Sequence, residues 1–297
     1  METMRSGTVL GHAEDGSREV VPWGGKPAGL RLDIVIPAYN EEERIGSTLA
    51  AYRRGCADPG TTFVVALDGC GDATASVVRL HAEEDPRVRL IEFPKLGKGG
   101  VLMEAFRRCS GELIGFVDAD CATPPEEFMR LVDVVRHADV AIASRRHPAA
   151  VLPVRRPLAR RLTSAGFALG TRRLFGLSVL DTQCGAKVLR REVVERAVPL
   201  MSSRDFLFDV DLLVVARALG YRIAEVPTVW IDQAGSRVDT LADARRMAIS
   251  SLRLWLHHRV LPVPRAAIPA TAAPPAAVAE TVEGAEASPS TPAPVEA

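Results

Sequence analysis

Five short runs of mostly aliphatic and β-branched residues, at 33–37, 63–67, 88–92, 113–117 and 140–143, are separated by stretches in which apolar residues recur three and four positions apart. Ile45, Leu49 and Tyr52 form one such stripe, and Val101, Ala105 and Cys109 another. The runs have the length of strands and the stripes have the period of a helix, so their alternation dictates βαβ units. The predicted class is α/β, a Rossmann-like and mostly parallel sheet with helices on both faces. In such sheets ligands bind beyond the carboxyl ends of the strands. The residues that follow each run are therefore the ones to read for chemistry.

The second half is less regular. The pattern predicts a helix over 157–175, the segment Asp181-Thr182-Gln183-Cys184-Gly185, a helix over 206–219, strands at 222–226 and 228–231 parted by Pro227, and a last helix over 240–258. A proline cannot donate to a ladder, which is why two strands are predicted there. Residues 1–29 are rich in glycine and charge without apolar periodicity, and 261–297 is an Ala, Pro and Glu tract with no aromatic residue. Both are predicted to be disordered, flanking one domain at 30–260.

Charge and cysteine narrow the function classes. Thirty-seven Lys+Arg balance 37 Asp+Glu, so there is no basic excess of the kind that drives binding to a polyphosphate backbone, and nucleic acid is not an expected partner. No apolar run reaches the roughly 18 residues of a membrane span, and the N-terminus lacks a secretory pattern. Five cysteines at irregular spacing suit a reducing compartment. The expected location is the cytoplasm.

Each strand end offers polar residues with two readings. After the first run comes Pro37-Ala38-Tyr39-Asn40-Glu41, either a proline-stopped strand with acids suited to a helix dipole or an edge for a base and ribose. Asp68 leaves the second run ahead of Gly69 and Gly71, placed to accept from a base N–H or a ribose hydroxyl. Gly97-Lys98-Gly99-Gly100 precedes a helix, either as a solvated turn or as a phosphate contact. It lacks the P-loop spacing. Asp118-Ala119-Asp120 closes the fourth run, either as two neighbouring acids on a solvated loop or as two carboxylates that, at that spacing, can share one hard divalent cation on a diphosphate. Asp209 and Asp211 open a later helix, where either acid serves the dipole or faces the cleft as a general base.

In this order these motifs resemble the inverting family 2 glycosyltransferases with the GT-A fold, over about residues 31–258. Asp181-Thr182-Gln183-Cys184-Gly185-Ala186-Lys187, Phe208-Asp209-Val210-Asp211 and Glu225-Val226-Pro227, followed by Trp230 and Gly235-Ser236-Arg237, are most similar to the dolichyl-phosphate β-glucosyltransferases and related polyprenyl-phosphate hexosyltransferases. The resemblance implies a nucleotide-sugar donor, with Pro37, Tyr39, Glu41 and Asp68 on the nucleoside and Lys98 near the donor. It implies a divalent metal, Mg2+ or Mn2+, on Asp118 and Asp120, with Asp118 also contacting the donor. Asp209 matches the catalytic carboxylate, and Arg145, Gln183, Ser236 and Arg237 fall on the acceptor side.

Two departures stand out. Leu67 replaces an acid common in the family, and the hydrophobic anchor of the dolichyl-phosphate enzymes has no counterpart. The implied activity is hexose transfer to a polyprenyl phosphate at the membrane surface. A soluble acceptor and a non-catalytic nucleotide-sugar-binding scaffold are the alternatives. From Arg145 to Arg173 the chain is arginine-rich, has interleaved apolar residues, and meets no acid before Asp181. One reading is a helix whose basic edge rests on anionic headgroups, giving peripheral membrane contact. The other is an ordinary surface helix.

Overall fold

The structure, a computed structural model, describes residues 8–12, 18–22, 29–153, 158–231 and 240–263. Strands β1 (Thr8–His12) and β2 (Arg18–Pro22) precede β3 (Leu32–Ala38), α1 (Ile45–Gly55), β4 (Thr61–Asp68), α2 (Thr74–Glu84), β5 (Val88–Phe93), α3 (Lys98–Phe106), β6 (Leu113–Val117), α4 (Pro125–Val134) and β7 (Val140–Ser144). After these come α5 (Leu158–Phe175), β8 (Ala186–Arg190), α6 (Arg191–Ala197), α7 (Phe208–Ala218), β9 (Ile223–Pro227) and α8 (Thr240–Val260).

The strands form one sheet in the order β2-β1-β9-β7-β8-β6-β3-β4-β5. Pairings β3–β4, β4–β5, β3–β6 and β7–β9 are parallel, while β8 runs antiparallel between β6 and β7. The chain moves outward from β3 to β5 and then returns to lay β6 on the other side of β3. The carboxyl ends of β3 and β6 thus flank the point where strand order reverses, the position at which open α/β sheets bind ligands.

Central strands are buried on both faces, as parallel sheets require. On β3, Ile34 and Ile36 join one apolar cluster with Ile45, Leu49 and Tyr52 of α1 and Phe128 and Leu131 of α4. Val35 points the other way, into a second cluster with Val101 and Leu102 of α3 and Phe208 and Leu212 of α7. Local sequence explains these elements. Helix α4 starts with proline in its first turn, followed by Glu126 and Glu127 near the positive end of the dipole. It packs so close to β6 that a Cβ at Gly115 would lie 2.6 Å from the Phe128 ring.

Three expectations change. Within the segment read as disordered, β1 and β2 form a hairpin, and β1 extends the sheet by pairing with β9. These strands are only five residues long and carry no apolar stripe, so their existence depends on an edge formed by residues more than 200 positions away. Strand β8 and helix α6 were not foreseen. Conversely, 228–231 is no strand, because Val229 makes only an isolated bridge to Val151. The tail beyond residue 263 lies outside the described residues.

Candidate active site

The loops after β3 and β4 are stitched together by backbone and short polar side chains. Asn40 takes a left-handed conformation, φ 54°, a geometry that asparagine tolerates better than most residues. Its Oδ1 accepts from Gly71 N at 2.9 Å. Glu41 N donates to Thr74 Oγ1 at 2.8 Å, and Ala73 N donates to Glu42 at 2.8 Å. The Glu41 carboxylate pairs with Arg44 at 2.6 Å. Burial raises its pKa, with smaller upward pushes from Asp120 and Asp118, and these outweigh the lowering by Arg44. Pro37 lies within β3, opposite Ala66, and Tyr39 beyond the strand end is 49% exposed.

Asp68 is buried, and its oxygens are engaged within the protein. Oδ1 accepts from Leu96 N at 2.5 Å and Gly97 N at 3.1 Å, while Oδ2 pairs with Lys95 Nζ at 2.9 Å. Lys95 Nζ in turn lies over the Tyr39 ring, 2.8 Å from its centroid. Asp68 therefore holds the turn before α3, and Lys95 stands between it and the exposed ring. The glycines of that turn have a packing reason as well. A Cβ at Gly97 would meet Arg204 O at 2.8 Å, and one at Gly99 would meet Phe208 Cβ at 2.8 Å.

Asp118 stands at the end of β6, where its N donates to Gly185 O at 3.0 Å. A Cβ on Gly185 would fall 1.8 Å from Asp118 Oδ2. The carboxylate thus occupies the space that any other residue would fill. Lys98 Nζ pairs with Asp118 Oδ1 at 2.7 Å. Burial works to lower the Lys98 pKa, but Asp118 and then Asp209 outweigh it, so the ammonium is held charged. Asp120 is raised by burial and then by Asp118, against the pull of Ala122 N and nearby cations. Two carboxylates leaving one strand end, the Asp118 charge pushing up the pKa of Asp120, are groups that would hold a divalent cation. Among the described residues no group of three or more His, Cys, Asp or Glu is placed to hold a metal alone.

The acids of α7 are both buried and both partnered. Asp209 pairs with Lys187, a fully buried lysine that also donates to Cys184 O at 2.8 Å. Asp211 accepts from Ser202 N and Ser203 N at 2.7 Å each and from His258 at 2.7 Å. Neither presents a free carboxylate to solvent, so the geometry fits an orienting role for Asp209 better than proton abstraction.

On the expected acceptor side, Arg145 is committed to Asp181 through Nε at 2.7 Å and Nη2 at 2.9 Å, and it stacks on Trp230. Asp181 is itself held by its backbone N, which donates to the buried Glu225 at 2.8 Å. Gln183 Nε2 donates to Phe206 O at 3.2 Å. Ser236 and Arg237 lie outside the described residues. Sequence reasoning assigned no role to Lys95, nor to Gly185 and Lys187, although the last two stand in the Asp181–Lys187 motif that carries the resemblance.

A family model described as Glycosyl transferase family 2 matches residues 33–197. The chain is 34% identical to the glycosyltransferase AglD of Haloferax volcanii over 81% of its own length, but it spans only 39% of that protein. It is 31% identical to the dolichyl-phosphate beta-glucosyltransferase ALG5C of Trichomonas vaginalis, covering 78% of this chain and 73% of the relative. It is 32% identical to the undecaprenyl-phosphate mannosyltransferase of Micrococcus luteus, covering 69% and 85%. Among solved structures, glucosyl-3-phosphoglycerate synthase from Mycobacterium tuberculosis, in complex with Mn2+, UDP and glucosyl-3-phosphoglycerate, shares the fold. Its TM-score is 0.60 at 20% identity, over 77% of this chain and 80% of that one.

Two predictions follow from the buried pairs. Replacing Lys187 by Met strands the Asp209 carboxylate in the core and is expected to cost about 3–5 kcal/mol. Lys187→Met/Asp209→Leu should recover most of that loss in urea unfolding. The second concerns acid. Burial pushes Asp181 up, but the Arg145 charge and hydrogen bonds bring its pKa from 3.8 down to about 2. A lowered folded-state pKa means that the contribution is complete above the unfolded value and is lost as pH falls through the folded one. It amounts to the order of 2 kcal/mol. The stability gap between wild type and Asp181→Asn should therefore narrow by that amount from about pH 5 to about pH 2, followed by urea unfolding.

Proposed function

The chain belongs to glycosyl transferase family 2, and from that premise we propose that it moves a hexose from a nucleotide diphosphate sugar to a polyprenyl phosphate at a membrane surface. The observation that carries the donor half is the placement of Asp118 and Asp120 at the switch point, with Lys98 against Asp118 and no side chain at Gly185. The acceptor half is supported by the relatives, whose names specify dolichyl and undecaprenyl phosphate.

Asp118 and Asp120 would hold a divalent cation, Mg2+ or Mn2+, whose chemistry is to neutralise the diphosphate as it departs. The exposed Tyr39 ring, with Lys95 over it, offers a flat edge for the base, and Glu41 lies beside the two aspartates. A phosphate oxygen of the acceptor attacks the anomeric carbon as the bond to the nucleoside diphosphate breaks, and the electron pair leaves with the diphosphate. The attacking oxygen is already ionised near neutral pH, so no strong base is needed. That agrees with an Asp209 whose charge is spent on Lys187.

Helix α8 supports contact with a membrane. Ile249, Leu252, Leu256 and Val260 recur at three- and four-residue spacing and are all exposed, while Ser251 and Leu254 face inward. Arg253 and Arg259 flank this outward stripe. On α5, exposed Leu169 and Leu174 accompany Arg172 and Arg173. An apolar stripe with basic borders is the pattern of helices that lie in the headgroup region. No described helix is long and apolar enough to cross a membrane. The arginines at 155, 156, 160 and 161 fall where side chains are not described. The cytoplasmic face is the location that goes with nucleotide-sugar donors and five free cysteines.

Incubation with UDP-glucose, UDP-N-acetylglucosamine or GDP-mannose, Mn2+ or Mg2+ and polyprenyl phosphate tests the reading. One donor should yield a lipid-linked hexose. Asp120→Ala should lower kcat/KM by at least about 100-fold, equivalent to about 2.7 kcal/mol. Product formed only on a soluble acceptor would overturn the lipid assignment.

A further inference from the structure

Helix α8 is the last described helix of the domain, yet its inward face reaches the start of α3 through one turn of chain. Ser250, Leu254 and His258 recur at four-residue spacing and so share one side of the helix. Leu254 is buried. Ser250 Oγ donates to Asp205 at 2.7 Å, and His258 Nε2 donates to the fully buried Asp211 of α7 at 2.7 Å. The second ring nitrogen of His258 is buried and has no hydrogen-bond partner among the described residues, so the imidazole is held through Asp211. Both acids in turn grip residues 202–207. Asp211 Oδ2 accepts from Ser202 N and Ser203 N at 2.7 Å each, while Asp205 accepts from Ser203 Oγ at 2.9 Å and Leu207 N at 2.8 Å.

That turn closes on α3. The helix begins at Lys98 after Gly97, and no side chain caps it. Arg204 O takes that place, accepting from Gly100 N at 3.0 Å, one of the N–H groups that a helix start leaves without an internal partner. A Cβ at Gly99 would lie 2.8 Å from Ser203 O and from Arg204 C, so the glycine lets the turn lie directly on the first turn of α3. Lys98 is the first residue of that helix, and its ammonium meets Asp118 at 2.7 Å. We propose that Ser250 and His258 are positioning residues for Lys98: they hold the 202–206 turn against α3, and the turn sets where the ammonium stands beside Asp118. This rests on the donor half of the function proposed above. Packing this close passes a displacement of the turn on to α3. An ammonium fixed in advance favours a diphosphate more than one that must be ordered on binding. The helix that carries the outward apolar stripe is thereby also part of the frame of the donor site.

Calorimetric titration of the full chain with UDP and Mn2+, carried to millimolar nucleotide, tests this as a double-mutant cycle. Wild type is compared with Ser250→Ala, Ser250→Ala/His258→Leu and His258→Gln, each with Lys98 and with Lys98→Ala. With Lys98 present, Ser250→Ala/His258→Leu should lose at least about ten-fold in UDP affinity and Ser250→Ala at least about three-fold. In the Lys98→Ala background the same changes should alter affinity by less than about two-fold. His258→Gln, whose amide N–H can still reach Asp211, should stay within about two-fold of wild type. If loss of the Asp211 partner prevents folding, Ser250→Ala, which removes one half-buried hydroxyl, carries the cycle alone. Equal losses in both backgrounds would mean that α8 acts on stability and not through Lys98, and would overturn the proposal. Unchanged affinity in the variants would overturn it too, and the donor reading survives either failure as long as wild type binds UDP with Mn2+. A wild type that binds no UDP overturns the donor reading, and the proposal with it.

Discussion

The ion pair between Lys187 and Asp209 ties the halves of the molecule together. Strand β8 lies antiparallel to β6 with Lys187 opposite Phe116 and Ala186 opposite Val117. That register turns the Lys187 ammonium to α7 and leaves Gly185 against Asp118. One strand therefore does two things at once: it anchors the helix that carries Asp209, and it clears room for the carboxylate at the end of β6. An unpaired charge in this position would be strongly destabilising, so neither residue can be replaced alone without disturbing the joint. Lys98 repeats the arrangement on the exposed side, where its ammonium meets Asp118 and feels Asp209.

Charge in this protein is mostly consumed by structure. Asp68 organises the turn at 95–97, Asp181 fixes Arg145, Glu225 fixes the backbone at 180–181, and Asp211 holds α8 through His258. These carboxylates bond to backbone N–H groups or to cations from distant segments, which is how buried acids are made tolerable. The groups left over are informative for that reason. Asp118 and Asp120 crowd each other at a strand end, and Lys98, Arg204 and Arg253 line one groove with a single acid, Asp205. The zero net charge of the chain thus conceals local surpluses of both signs.

Much of the fold was legible because β3, β4, β5, β6 and β7 are runs of β-branched and aliphatic residues with helical stripes between them. Strand β8 escaped because Lys187 interrupts its apolar pattern, and the reason to bury a lysine lies 22 residues later on α7. The hairpin β1–β2 escaped because its pairing partner, β9, is at the other end of the domain. The positions of the candidate residues were readable from strand ends, but their availability was not. Asp68 and Arg145 look like free charges in one dimension, and only the tertiary fold brings Leu96 N and Asp181 to them. Gly185 stood in the Asp181–Lys187 motif, but its role was not legible there, since its value lies in an atom that is absent.

The account depends most on that missing atom, because it lets the Asp118 carboxylate stand where a cation and a diphosphate would meet. Titrating UDP into wild type and Gly185→Ala, with and without Mn2+, measures this directly. Wild type should bind UDP more tightly when Mn2+ is present, and the folded variant should lose at least about ten-fold of that gain. An equal Mn2+-dependent increase in both proteins would contradict the placement of the cation on Asp118.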